Sequence, residues 1–270
     1  MIRKIDSFDK YIEFINYVTE DSCFTDPHYM YNSDNLFNAL KKKDHAAFVV
    51  TDDNRIAGLF VWLIVPENRY IEMITGLSKE ERAYFEMLAY LENRYRDYQM
   101  DFVFNPKNRA LRACLMTKRA EFETEQQRMI WVKDKQVGSN FEIRLFQPKY
   151  TEQYLEIHNK ETYWTGERVL NAPDRFRVFL ALDNNTIIGY LDVTFCYDDN
   201  EPYGLFVKEG YENMGVEQSL LSEAIRLNKP QRMTAFVNAT DPKAIALFES
   251  VGFETLNGQN SVYASYRSGL

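Results

Sequence analysis

Residues 203–227 read YGLFVKEGYENMGVEQSLLSEAIRL, and this stretch decides the fold. A short apolar strand from Tyr203 to Val207 gives way to a turn holding Gly210 and Gly215. A helix follows, with Val216, Leu220, Leu221, Ala224, Ile225 and Leu227 largely on one face. A strand that stops where a helix starts leaves several backbone N–H groups without partners. Those donors, with the positive end of the helix dipole, suit an anion such as a pyrophosphate. Gly215 has no Cβ, so a ligand can come close to the main chain. The same pattern also fits an ordinary strand–turn–helix connection, and the turn alone leaves both readings open.

The chain downstream favours the ligand. A second apolar strand, Met233 to Asn238, precedes TDPKAIALFESVGFE. Asp241 is a good N-cap and Pro242 a good first helical residue. Ala244, Ile245, Leu247 and Phe248 supply an apolar face, Gly252 ends the helix, and Phe253 starts the next strand. Upstream lies a hairpin, FRVFLALDNNTIIGYLDVTF. On FVKEGYENMGVEQSLL, DPKAIALFESVGF and this hairpin, the region from Phe141 to Tyr266 resembles the GNAT superfamily of acyl-CoA-dependent N-acyltransferases.

The resemblance implies an α/β fold with a mixed, mainly antiparallel sheet flanked by helices. It implies acetyl-CoA as co-substrate and direct transfer to a small amine, with no metal. Leu205, Phe206 and Val207 would lie beside the pantetheine arm, pairing with its amides as another strand would. The Val207 N–H would point at the thioester oxygen, where negative charge grows. Glu212, Asn213, Met214, Gly215, Val216 and Glu217 would wrap the pyrophosphate, and Asp241 and Phe248 would flank the sulfur. Three residues depart from the family pattern. Glu212 and Glu217 bring carboxylates towards phosphates, each a repulsion on the order of 1 kcal/mol or less when solvated. Phe248 stands where many relatives have a tyrosine, and it cannot protonate the leaving thiolate. A thiol's pKa near roughly 8.5 allows it to leave unassisted.

An amine is mostly protonated at neutral pH, so attack needs a base. Glu201 and Tyr203 directly precede the strand, and a carboxylate there can act through water. Gly204 occupies a position often acidic in relatives. The segment ETYWTGERV, Glu161 to Val169, falls where the family builds its acceptor pocket. Tyr163 and Trp164 would form an apolar or cation-holding wall, and Glu167 would pair with an amine. As plain structure, the same residues read as a loop packed on the sheet and an exposed carboxylate in DDNEP.

The chain also repeats itself. AAFVVTDDNRIAGLFVWLIV, with Asp53-Asn54 at its turn, aligns with the later hairpin at an offset of about 131 residues: Phe48 with Phe179, Asp52 with Asp183, Asn54 with Asn185, Ile56 with Ile187, Gly58 with Gly189. Helices are expected at Phe8–Thr19 and Asn32–Lys42, and the first copy ends in a strand, Arg128–Val132. Two GNAT-like domains follow from this, 1–133 and 141–270, joined by a polar linker at 134–140. The counterpart turn of the first copy, YIEMITGLSKEERAYFEMLAYL, has only Gly76 and then Lys79, Glu80, Glu81 and Arg82. Side chains and carboxylates there oppose a phosphate, so the first copy reads as structural or substrate-shaping. Its final strand and the linker are expected to help build a sheet surface against the second copy.

With 270 residues and a net charge of −8, the chain can form two cores and has no long basic run. Nucleic acid and anionic membranes are poor partners, and amines suit the sign better. Cys23, Cys114 and Cys196 show no disulfide or metal spacing and read as buried apolar residues. His28, His45 and His158 are isolated. Tyr263 and Tyr266 read as packing residues of the last strand. No signal peptide or spanning segment is evident, so a cytoplasmic protein is expected; the sequence leaves monomer and homodimer both open. The functional expectation is an N-acetyltransferase with its site in the second copy. The alternative is a non-catalytic acyl-CoA fold kept for ligand sensing or protein contact.

Overall fold

The structure is a computed structural model and describes residues 1–27, 34–53, 55–135 and 141–269. His28, Asn54 and most of the expected linker lie outside these residues, as does the start of the expected helix at Asn32. In chain order the elements are β1 (Ile2–Ile5), α1 (Ile12–Thr19), α2 (Asp34–Phe37), β2 (His45–Asp52), β3 (Arg55–Val65), β4 (Tyr70–Leu77), α3 (Glu81–Arg94), β5 (Gln99–Phe104), α4 (Arg109–Thr117), β6 (Glu121–Phe122) and β7 (Gln126–Trp131). Then come β8 (Glu142–Leu145), α5 (Thr151–Ile157), α6 (Gly166–Leu170), β9 (Phe176–Asp183), β10 (Thr186–Thr194), β11 (Asp199–Asn200), β12 (Pro202–Val207), α7 (Val216–Asn228), β13 (Arg232–Asn238), α8 (Pro242–Ser250), β14 (Phe253–Thr255) and β15 (Val262–Arg267). The first expected helix is split, its opening turn Asp9–Tyr11 being a tighter 3-10 turn. The same happens at Ala39–Lys41 after α2.

The chain forms two compact units, Met1–Gln127 with Asn257–Leu270, and Arg128–Leu256. The expected boundary near the linker is therefore redrawn. In the first unit a seven-stranded sheet runs β1-β2-β3-β4-β5-β15-β6. Its sixth position is filled by β15, the last strand of the second copy, antiparallel to β5 from Val262↔Phe104 to Arg267↔Gln99. In the second unit the matching place between β13 and β14 is filled by β7, the last strand of the first copy. The two copies exchange their final strands. Each ladder is equally complete whichever copy supplies the strand, so hydrophobic pattern and repeat spacing carry no signal for the exchange.

The repeat extends to irregularities. Register shifts fall between Val50 and Thr51 in the first hairpin and between Ile187 and Gly189 in the second. A second pair of shifts puts one extra residue, Ile74, in β4 and one, Tyr203, in β12. These matching bulges make Val61 the counterpart of Asp192, Thr75 of Gly204 and Gly76 of Leu205.

In the first unit, Ala83, Tyr84, Met87, Leu88 and Leu91 of α3 are buried against one sheet face, while its charged residues stay out. Tyr84 is wholly buried, and Phe85, Tyr90, Tyr95 and Tyr98 pack on the same core. Tyr266 stacks on Phe102 at 5.8 Å and donates to Glu92 at 2.9 Å, so it packs as expected but in the first unit. The second unit has a core on each sheet face. Phe179, Ala181, Leu191 and Val193 meet α7 and α8 on one side. Val178, Leu180, Leu182 and Tyr190 meet Tyr150 and Tyr154 on the α5 side. Of the cysteines, only Cys114 is buried; Cys23 is half-buried and Cys196 exposed, which corrects the expectation for those two. Among the described residues, no helix is long and apolar enough to cross a membrane and no group of side chains is arranged to hold a metal.

Candidate active site

β12 is the outermost strand of the sheet β12-β10-β9-β8. Among the described residues it pairs only with β10, through Gly189↔Val207, Tyr190↔Phe206, Leu191↔Leu205 and Asp192↔Gly204. The Lys208 N–H donates to Ile188 O at 2.8 Å. Peptide groups alternate along a strand, so the N–H groups of Val207 and Leu205 point to the opposite, open edge. Beyond that edge lies β13, which belongs to the other sheet and approaches β12 without pairing to it. The two sheets of the second unit are joined near β11, where Asn200 meets Met233, and diverge from there.

The turn after β12 is eight residues long, Lys208 to Gly215. Gly210, Asn213 and Gly215 take positive φ of 91°, 61° and 86°. Gly215 is the N-cap of α7 and supplies no side-chain cap. The first helical amide to find a partner is Ser219, which donates to Gly215 O at 3.0 Å. A Cβ at Gly215 would meet nothing within 4 Å, so the space over these amides is open. The Glu212 carboxylate is folded back on the turn and accepts from the Gly210 N–H at 2.6 Å. Glu217 is half-buried in the first turn of α7, where its charge favours the helix dipole. Asn213 and Met214 are exposed and Val216 is buried. An open strand edge leading to an uncapped helix N-terminus fits an extended diamide arm ending in a diphosphate. Asp241 caps α8, accepting from Lys243 and Ala244 N–H at 3.0 and 3.1 Å. Phe248 packs edge-on to Phe253 at 5.1 Å.

On the α5 side, Trp164 meets Phe176 at 4.9 Å and Phe176 meets Tyr203 at 5.9 Å. The guanidinium of Arg175 lies 4.6 Å from the Trp164 ring centre, and that of Arg168 lies 4.7 Å from Tyr163. The cation-holding faces are thus held by the chain's own arginines. Burial pushes the Glu201 carboxyl up, against the opposing pull of Arg175 and Arg128. Glu167 is elsewhere, in the wall of a cavity of about 510 Å³ between α5 and α6 with Glu152, Glu156, Lys160 and His158.

His158 is not isolated. Its Nε2 lies 2.9 Å from Oδ2 of Asp192, and Tyr154 OH donates to Oδ1 at 2.8 Å. Asp192 is fully buried and His158 nearly so. The His158 ring stacks on Tyr190 at 4.9 Å. Asp192 was missed because it sits 34 residues from His158 in an otherwise apolar strand. The polar break in GYLDVTF, alternating onto the buried Tyr190 face, was the available signal.

The sequence model described as the Acetyltransferase (GNAT) family matches residues 143–253. That segment belongs to the GNAT acetyltransferases. No curated protein matches the chain. Among solved structures, a tandem GNAT protein from the clavulanic acid biosynthesis pathway is 10% identical, with TM-score 0.54, over 100% of this chain and 99% of that one. A GCN5-related N-acetyltransferase from Sphaerobacter thermophilus is 13% identical, with TM-score 0.58, over 82% and 80%. A GNAT-family acetyltransferase from Colwellia psychrerythraea is 8% identical, with TM-score 0.52, over 98% and 98%. At these identities the likeness is one of fold, and the fold is that of two GNAT units in tandem.

The first GNAT unit differs at the same place. Its β4 ends at Leu77 and α3 begins at Glu81, leaving three residues for the turn. Ser78 fills it, donating to Ala57 O at 2.7 Å and accepting from Glu80 N–H at 2.9 Å. The open-edge amide of Gly76, counterpart of Leu205, donates to buried Asp26 Oδ2 at 3.1 Å.

Proposed function

We propose that the second GNAT unit transfers an acetyl group from acetyl-CoA to the nitrogen of a small amine. The observation that carries this reading is the open β12 edge running into the glycine turn at α7. Leu205 and Val207 would hold the amides of the coenzyme arm, and the amides from Asn213 to Glu217 would take its diphosphate. When bound, acetyl-CoA supplies a thioester already activated for attack. The Val207 N–H would stabilise charge on the carbonyl oxygen. Trp164, Phe176 and Tyr203 offer an apolar wall beside the strand, Glu201 stands near it with Arg175 and Arg128, and Glu167 would add from the cavity between α5 and α6 a carboxylate that favours an ammonium group. The net negative charge of the chain favours the same acceptors. Phe248 donates no proton, so the thiol leaves on its own acidity or with a proton from elsewhere. The first copy has neither the turn nor the open amide and serves as scaffold, its last strand β7 completing the second unit's sheet.

The test is thiol release from acetyl-CoA with a panel of amines, glucosamine, spermidine and lysine methyl ester among them, and mass spectrometry of the products. A gain of one acetyl group on an acceptor supports the reading. Binding of acetyl-CoA with no acetylated product from a broad amine panel favours a ligand-sensing module.

A further inference from the structure

We infer that His158 and Asp192 form the proton-accepting group of the second unit, in the place where Gly204 leaves β12 without a side chain. The inference rests on the acetyl-transfer reading above.

The position comes from the register. Asp192 pairs with Gly204, the residue before the open-edge amide of Leu205. A Cβ built on Gly204 would lie 3.0 Å from Asp192 Oδ2. The carboxylate therefore occupies the space into which a side chain at 204 would project. It arrives from the neighbouring strand and is held there by Tyr154 of α5 and His158 at that helix's C-terminal cap. The first unit has Val61 at the counterpart position and no such group.

The proton comes from hydrogen-bond valence. Nδ1 of His158 lies 2.9 Å from Asn159 O, which can only accept, so Nδ1 carries hydrogen. Nε2 faces a carboxylate whose other oxygen already accepts from Tyr154. Two lone pairs cannot make that contact, so the pair in this geometry holds one proton beyond neutral imidazole and carboxylate. Burial works against a charged imidazole, but the bonds to Asp192 and Asn159 outweigh it and hold the proton above the ordinary histidine range. The titratable groups around it are Tyr154, Glu152 and Glu156 of α5, Lys160 of the next loop, Glu167 of α6 and Tyr190 of β10. From β12, Gly204 faces the pair without a side chain and Phe206 stacks on Tyr190 at 5.6 Å.

Above the pair's own titration the proton leaves, the Nε2–Asp192 contact opens, and the freed Nε2 lone pair can act as a base. An N–H bond of the acceptor ammonium breaks, its electron pair stays on nitrogen, and the proton passes through water to Nε2 of His158. The freed nitrogen then bonds to the acyl carbon as the C–S bond breaks. The sulfur keeps that electron pair and takes the proton His158 carried. The nitrogen's remaining extra proton leaves to water. His158 is the proton acceptor, and Asp192, which acts through it, is a positioning residue.

The experiment uses the full chain, with D192N and H158Q. Calorimetry with acetyl-CoA comes first: all three proteins are expected to bind alike. No binding by the wild type overturns the acetyl-transfer reading and this inference with it. Thiol release with the best acceptor is then followed from about pH 6 to 9. The wild type is expected to gain kcat with pH, and both variants to lose about 100-fold or more in kcat and the pH-dependent limb. In ¹⁵N imidazole spectra of the wild type, assigned with H158Q, the His158 ring is expected to stay doubly protonated past the ordinary histidine range and to shift when acetyl-CoA is added. Normal binding with unchanged kcat and limb in the variants overturns the inference alone. So does a His158 ring that is singly protonated at pH 6 or blind to acetyl-CoA, and this reading stands even if D192N does not fold.

Discussion

The carboxylate of Asp26 accepts a buried hydrogen bond from the amide of Gly76 at 3.1 Å, on the edge of β4 that corresponds to the open edge of β12. One copy has closed with its own side chain what the other leaves free. Tyr84 reinforces the closure, its hydroxyl lying 3.3 Å from Gly76 O. The chain is therefore expected to bind one acetyl-CoA, not two. Asp26→Ala should lower stability by about 1–3 kcal/mol by orphaning the amide. It should not create a second site, because three residues between β4 and α3 cannot wrap a diphosphate. Chemical denaturation and binding stoichiometry check the two parts.

Charge in the turn sets affinity. Glu212 and Glu217 lie where the diphosphate is expected, and neither is removed from solvent by a basic partner. Glu212→Gln and Glu217→Gln should each tighten acetyl-CoA binding, by about threefold to tenfold at low salt and less at high salt. Titrations at two ionic strengths measure this. Equal affinity in all proteins would place the phosphates elsewhere.

Gly252 is fixed by two independent constraints. Its φ is +103°, and a Cβ there would lie 1.8 Å from Lys133 O, two residues past β7. Val132 N–H also donates to Gly252 O at 3.0 Å, tying the exchanged strand to the cap of α8. Gly252→Ala should cost about 3 kcal/mol or more, because neither backbone can yield. A drop in melting temperature reports it.

The His158–Asp192 pair predicts a stability that depends on pH. The folded chain keeps the proton of this pair above the ordinary histidine range, whereas an unfolded histidine releases it near roughly 6.5. The contribution is full below the unfolded value and is lost as pH rises through the folded one. The stability advantage of wild type over D192N should shrink as pH rises from about 6. An advantage that grows with pH contradicts the assignment.

Much of the second unit was legible in sequence because local chemistry specifies it. Gly215 before Val216, Asp241-Pro242 and Gly252-Phe253 mark helix ends through backbone requirements, and all three hold. The hairpin repeat carried through to the positions of its bulges. The exchange of β7 and β15 was not legible, since a strand pairs through its backbone and its side-chain pattern does not name the owner of the sheet. His158 and Asp192 were missed for a related reason. Their partnership is made by packing α5 on β10, and spacing rules find only groups that lie near one another in sequence. Glu212 was legible as a carboxylate in the turn, but its bond to Gly210 depends on the left-handed residues around it.

The most direct measurement is calorimetric titration of the full chain with acetyl-CoA, beside Gly215→Glu. The account predicts one site of micromolar-range affinity, and none in the variant, with both proteins folded. No heat and no thermal shift for the wild type at millimolar acetyl-CoA, or undiminished binding by the variant, would contradict it.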